Sequence, residues 1–121
     1  MKKKYTWVVL TNCDSMHERE FNEWYDQVHL RDLLRIPGVT GATRTIISTS
    51  QIAMAGGSLT IATAQSIDAK YKYLACYHLE TDDIDGFFET VRSRSGTPEM
   101  IISPYLLDAY TVMYEDIDRE T

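Results

Sequence analysis

Apolar and polar positions alternate along this chain with two different periods, and the switches between them mark out its elements. Tyr5 to Asn12 (YTWVVLTN) is a short β-branched and aromatic run followed by turn residues, the pattern of a buried strand. Ser15-Met-His-Glu18 then matches a capping box, in which serine and glutamate each satisfy a free backbone donor. Beyond it Phe21, Trp24, Tyr25 and Val28 share one face at helical spacing. At about 100° per residue Leu30 falls opposite Phe21, so the stripe breaks near His29. A second short helical turn, Leu30 to Ile36, starts there with its own apolar set of Leu33, Leu34 and Ile36, and Pro37-Gly38 ends it.

Val39 to Ser50, rich in Thr, Ile and Val, reads as a second strand. Tyr71 to Glu80 (YKYLACYHLE) reads as a third. Alternation puts Tyr71, Tyr73, Ala75, Tyr77 and Leu79 on one face, and Lys72, Leu74, Cys76 and His78 on the other. Thr81 is placed to cap a second helix whose Ile84, Phe87, Phe88 and Val91 repeat at i, i+3, i+4, i+7. Arg92 and Arg94 suit its C-terminal end, and Ser95-Gly96-Thr97-Pro98 stops it. Pro104 to Tyr114 makes a last strand. The order β-α-β-β-α-β is the split βαβ arrangement, so the expected class is α+β, ferredoxin-like, with an antiparallel four-stranded sheet.

Helices cover only one face of such a sheet. The other face would be an apolar patch, and two copies packing sheet to sheet would bury it, giving a two-fold homodimer with a shared α/β barrel. Seven of the eight tyrosines fall in predicted strands (Tyr5, Tyr71, Tyr73, Tyr77, Tyr105, Tyr110, Tyr114), and they are expected to line that barrel. Gln51 to Ala69 is a long connection between strands that would ordinarily meet in a tight turn. It reads as an extended hairpin or extra strand pair, or else as a flap over a ligand pocket or an arm gripping the partner, with Gly56-Gly57 as its hinge.

Length and composition narrow the class. The 121 residues suit a single domain, and 44% hydrophobic with 25% charged residues is the balance of a globular chain. No apolar stretch approaches the roughly 18 residues that a membrane helix needs. The run Trp7 to Leu10 after the basic Met-Lys-Lys-Lys start is too short for a signal peptide. Cys13 and Cys76 lack metal-ligand spacing, so a reduced thiol pair in the cytoplasm is expected. The net charge of −6 argues against nucleic acid as a partner. Residues 1–44 carry seven basic against six acidic side chains, and the remainder five against twelve. The later acid sits in Glu80 to Asp85, at a helix start, and in the tail Glu115 to Glu120, read as a solvated terminus.

The segment Glu20 to Gly38 (EFNEWYDQVHLRDLLRIPG) resembles the F-x-x-W-Y-x-x-x-H-L-x-x-L-L-x-I-P-G stretch of the dimeric α/β-barrel superfamily, particularly its EthD-like members. Lys70 to Glu80 is similar to the K-Y-L-A-x-Y-x-L-E third strand of the same proteins. The resemblance implies a ferredoxin-like homodimer with a pocket between the sheet and the first helix. It does not imply one chemistry, because the superfamily includes metal-free monooxygenases, haem-degrading enzymes, lactone isomerases, polyketide cyclases, decarboxylases and dehydratases. The long Gln51 to Ala69 connection departs from the pattern.

His29 is the leading candidate for chemistry. It follows Tyr25 by four residues, shares a helix flank with it, and titrates near neutral pH, so it can give or take a substrate proton. The alternative is a structural histidine capping the broken helix. Tyr25 can orient a substrate oxygen or simply belong to the core, and Asp26, off the apolar stripe, reads as solvated. Arg44 can bind a carboxylate or phenolate through its planar fork. Asn12, Trp24, Tyr73, Tyr77 and His78 complete the candidate substrate-binding set.

The three histidines, His17, His29 and His78, have no metal-binding spacing, and no phosphate loop or nucleophile motif is present. The Tyr25/His29 pair, the supply of tyrosines and the resemblance together lead to the expectation of an enzyme without cofactor. It would act by proton transfer (isomerisation, dehydration, decarboxylation or lyase cleavage) on a hydrophobic aromatic or polyketide-like molecule. The alternatives are a haem- or oxygen-dependent monooxygenase, with His29 or His78 as the axial ligand, and a non-enzymatic dimeric binding or stress-associated protein.

Overall fold

Residues 1–118 are described by the computed structural model; the end of the acidic tail lies outside the described residues. Strand β1 (Lys3–Cys13) leads through a 3-10 turn at Ser15–His17 into helix α1 (Glu18–Trp24). A π-helical turn over Tyr25–His29 joins α1 to α2 (Leu30–Leu34). Then come β2 (Val39–Ile46), the hairpin strands β3 (Ser50–Ala55) and β4 (Ser58–Thr63), β5 (Tyr73–Thr81), α3 (Ile84–Arg94) and β6 (Leu106–Glu115).

The main sheet has the order β2-β5-β1-β6, antiparallel throughout. With helices on one face this is the ferredoxin-like α+β fold. The sheet stays open, so a single chain forms no closed barrel. The long connection is a separate two-stranded hairpin with its turn at Gly56-Gly57, both at positive φ. Among the described residues no helix is long and apolar enough to cross a membrane.

Register assigns the two faces. Tyr73, Ala75, Tyr77 and Leu79 of β5 pair with Thr11, Val9, Trp7 and Tyr5 of β1, and most of these side chains are buried against the helices. Phe21, Tyr25, Leu33, Ile36 and Phe87 close over them, and Trp7 packs against the Tyr77 and Phe87 rings. The opposite face carries Val8, Leu10, Leu74, Cys76, Val112, Tyr110 and Tyr114. The tyrosines therefore divide. Tyr5, Tyr73 and Tyr77 belong to the helix-covered core rather than to a barrel lining, and Tyr105 stacks on His17 at the start of the helical region. Only Tyr110 and Tyr114, with Tyr71 stacked on Tyr110, lie on or beside the open face.

Three local expectations need correction. The break near His29 is a π turn: the Leu30 N–H donates to the Tyr25 carbonyl five residues back. One extra residue in that turn rephases the helix, so Leu33 and Ile36 regain the inward face while Val28 turns outward. The first helical cap is Asp14 and not Ser15, since its carboxylate accepts from the Met16 N–H at 3.1 Å and pairs with His17 Nδ1 at 2.9 Å. Glu18, the other half of the expected capping box, reaches Lys72 and Tyr73 instead. At α3 the cap is Asp83, accepting from the Gly86 N–H at 2.9 Å; Thr81 accepts from the Asp83 N–H and steadies it. Within α3 Phe87 is buried, and Phe88 faces outward.

Candidate active site

The π turn brings four aromatic rings to one place. Tyr25 begins the turn and His29 ends it, so the wider coil sets the imidazole edge-on to the Tyr25 ring, centroids 5.0 Å apart. On its other side His29 stacks on Trp24, whose Nε1–H donates to the Ile101 carbonyl at 2.9 Å. These side chains and Tyr77 wall a cavity of about 150 Å³ between the helices and the sheet. The rest of its lining is mainly apolar, including Val9, Leu33, Val91, Met100 and Ile102, with hydroxyls from Thr11 and Thr111.

Burial controls the charge state of each group. Burial, and after it the nearby Arg44 cation, push the His29 pKa down to about 4, so the imidazole is neutral at physiological pH. Its Nδ1 is buried without a hydrogen-bond partner. Tyr77 donates its hydroxyl to Tyr25 at 3.2 Å, which leaves the Tyr25 proton free. Desolvation raises both phenols above the ordinary tyrosine value, so both remain protonated donors. The arrangement can accept a proton at His29 and donate hydrogen bonds from Tyr25.

Arg44 stands behind this cavity rather than in it. Strand β2 points it at the helix face, where its guanidinium lies over the Tyr25 ring, 4.2 Å from the centroid. It donates to Asp26 Oδ1 at 2.9 Å and to Asn22 Oδ1 at 3.0 Å, its side chain is 10% exposed, and its Nε finds no partner. Asn22 in turn donates to the Tyr73 hydroxyl, which donates to Glu18, which pairs with Lys72 at 2.6 Å. Tyr73 thus belongs to a polar chain along the outer flank of α1.

Of the candidate residues, His29, Tyr25, Trp24 and Tyr77 converge on the cavity. Arg44 and Tyr73 lie in the flanking network. Asn12 binds the backbone of Lys70 and Lys72, and exposed His78 occupies the opposite sheet face beside Gly41. Sequence reasoning missed Thr11, Thr111, Met100 and Ile102. Thr11 was accessible from the β1 alternation with Val9 and Trp7, but the segment 99–103 has no periodic signal. Among the described residues, no group of three His, Cys, Asp or Glu side chains is placed to hold a metal ion.

Comparison with known proteins gives the class of fold. No protein-family model matches the chain, and no curated protein matches it. Several solved structures share its architecture. A protein from Shewanella loihica PV-4, provisionally named a monooxygenase, is 12% identical with a TM-score of 0.55 over 98% of this chain and 99% of its own. A dimeric ferredoxin-like protein of unknown function from Thermobifida fusca YX is 16% identical with a TM-score of 0.53 over 93% and 91%. At these identities the likeness is one of fold.

Proposed function

We propose that this chain is a cofactor-independent enzyme that moves a proton on a small, hydrophobic, oxygenated ring compound bound beneath the first helix. The observation that carries the reading is the neutral His29 imidazole, with an unpartnered Nδ1, on the wall of an apolar cavity beside a phenol with a free proton. A neutral imidazole is a base, so His29 removes a proton from a carbon or hydroxyl next to a substrate carbonyl. Tyr25 donates a hydrogen bond to the oxygen where negative charge then builds. A cavity of about 150 Å³ is the size that holds one benzene-like ring, which sets the scale of the substrate. The π turn supports the same reading, since such turns recur at functional sites.

The open sheet face fits a two-fold homodimer, in keeping with the dimeric Thermobifida protein of the same fold. Two free thiols suit the cytoplasm.

A second reading is favoured by the name of the Shewanella neighbour. In an oxygen-using monooxygenase His29 would take the same proton, and dioxygen would take electrons from the resulting substrate anion. A porphyrin is several times larger than this cavity, and His78 lies across the sheet, so this reading is carried without haem.

Native mass spectrometry of the protein purified from its host identifies the occupant of the cavity, and turnover of that compound is then followed with and without oxygen. Anaerobic turnover that His29→Gln abolishes supports proton transfer; strict oxygen consumption supports the second reading. Full turnover by His29→Gln overturns both.

A further inference from the structure

From Thr45 to Ile67 the chain carries no Asp, Glu, Lys or Arg, although 25% of all its residues are charged. This run contains the β3–β4 hairpin, whose strands pair with each other and with no strand of the main sheet. The register puts Ile52 opposite Ile61 and Met54 opposite Leu59, so all four share one face. They are 62%, 88%, 73% and 64% exposed in that order. An isolated two-stranded hairpin is marginal in water, and natural sheet edges are guarded by charge. This hairpin has an apolar face and two uncharged edges.

We propose that the β3–β4 hairpin is an arm that clasps a second copy of this chain, laying Ile52, Met54, Leu59 and Ile61 on the partner beside the paired sheets. The inference rests on the sheet-to-sheet dimer proposed above and adds the element that completes it.

Position, charge and area each favour a second copy as the occupant. β2 and β5 pair directly as far as Ile46 and Tyr73, with one more bond from the Ile47 N–H to the Lys72 carbonyl. Everything between them leaves the sheet at its β2–β5 end, where Thr45 and Leu74 form the last open-face pair. The middle of that face is free of charge, built from Thr6, Val8, Leu10, Leu74, Cys76 and Val112, with Lys4 and Glu80 at one end and Asp108 at the other. A charged partner would desolvate its charges against the arm without return, whereas a second copy brings a matching neutral surface.

Area points the same way. Four strands about 4.8 Å apart and eight residues of about 3.4 Å each give the open face a projected area of about 500 Å². One face of a two-stranded arm six residues long adds about 200 Å².

The test compares three full-length proteins by sedimentation velocity from nanomolar to tens of micromolar, with circular dichroism to establish folding. These are the wild type, the double variant Ile52→Glu/Ile61→Lys, and Val8→Lys. The double variant keeps the hairpin by an opposite-charge cross-strand pair and removes its apolar face. The expected result is a wild-type dimer and a double variant whose dimer dissociates at least tenfold more readily while its spectrum is unchanged. Hydrogen exchange at the amides of residues 50–63 should slow as wild-type concentration rises. A double variant as tightly dimeric as wild type, with Val8→Lys monomeric, overturns the arm and leaves the sheet-to-sheet dimer standing. A dissociated double variant with Val8→Lys still dimeric keeps the arm and overturns the sheet pairing. A wild-type monomer, with the hairpin covered by some other protein, overturns both.

Discussion

The Trp24 indole lies against the His29 imidazole with ring centroids 4.6 Å apart and planes inclined by 23°. With Trp24 held by the Ile101 carbonyl on one side and the Tyr25 ring edge-on at the other, His29 is largely buried and has no paired carboxylate to stabilise its charged form. Its proton chemistry follows from that packing.

The first consequence is acid sensitivity. The folded pKa of His29 is about 4, against about 6.5 in an unfolded chain, so as pH falls the unfolded state binds the proton first. The contribution is fully present above pH 6.5 and is lost progressively between 6.5 and 4, by about 2 kcal/mol from pH 7 to pH 5. Urea unfolding at these two pH values should show that loss in the wild type and little of it in His29→Leu. Asp14 and Glu18, whose pKa values are lowered by their partners, lose their contributions only at still lower pH, and do so in both proteins.

Catalysis should carry the same signature. With His29 as the base, kcat/KM rises with pH on a limb near 4 and is flat through neutrality, instead of rising near 6.5. His29→Gln should lower kcat by roughly 100-fold or more while keeping the fold. A limb at 6.5 that persists in this variant would assign the base to another group.

Arg44 links the outer network to the base. Its cation is the second cause of the low His29 pKa, after burial. In Arg44→Gln the His29 titration followed by NMR should move upward, toward neutrality. The Tyr25 ring would lose its cation–π partner and Asn22 its donor, at a cost of about 1–2 kcal/mol in stability. An unmoved titration would show that burial alone sets the value.

Gly86 tests the cap of α3. A Cβ at this position would collide with the Asp83 carboxylate that accepts from the Gly86 N–H. Gly86→Ala should therefore cost about 1 kcal/mol, the worth of a lost cap. Because the two changes act on one interaction, Asp83→Ala/Gly86→Ala should be no less stable than Asp83→Ala alone. Thermal melts of the three variants measure the cycle.

Strand faces were the most legible part of the chain. The alternation through Tyr73, Ala75, Tyr77 and Leu79 survives intact because each faces a helix across the sheet. The tyrosines on that alternation face the helices and not a barrel interior, a side that periodicity cannot choose because it separates two faces without saying which one the helices cover. At the helical junction the phase break was visible, but its cause was not. A π turn and a broken helix shift the apolar stripe alike, and only the Leu30-to-Tyr25 bond distinguishes them. Tyr25, Trp24 and His29 were legible as a site because local spacing brings them together. Tyr77 reached the cavity by strand parity, and the same parity sent His78 to the other face. Arg44 was singled out as a polar residue in a strand, yet nothing in its neighbours foretold a guanidinium lying on the Tyr25 ring.

Asn12 closes the ladder between β1 and β5 with its side chain. Past the last strand pair, Thr11 with Tyr73, its amide accepts from the Lys72 N–H at 3.0 Å and donates to the Lys70 carbonyl at 2.8 Å, as a peptide group would. This imitation rung sets the heading of the returning chain at its root, from the first strand, whatever the hairpin beyond it does. Insertions, deletions and wholesale rewriting between residues 48 and 69 can therefore accumulate without disturbing β5 or the rings it presents. The cavity is thereby insulated from whatever changes the hairpin undergoes.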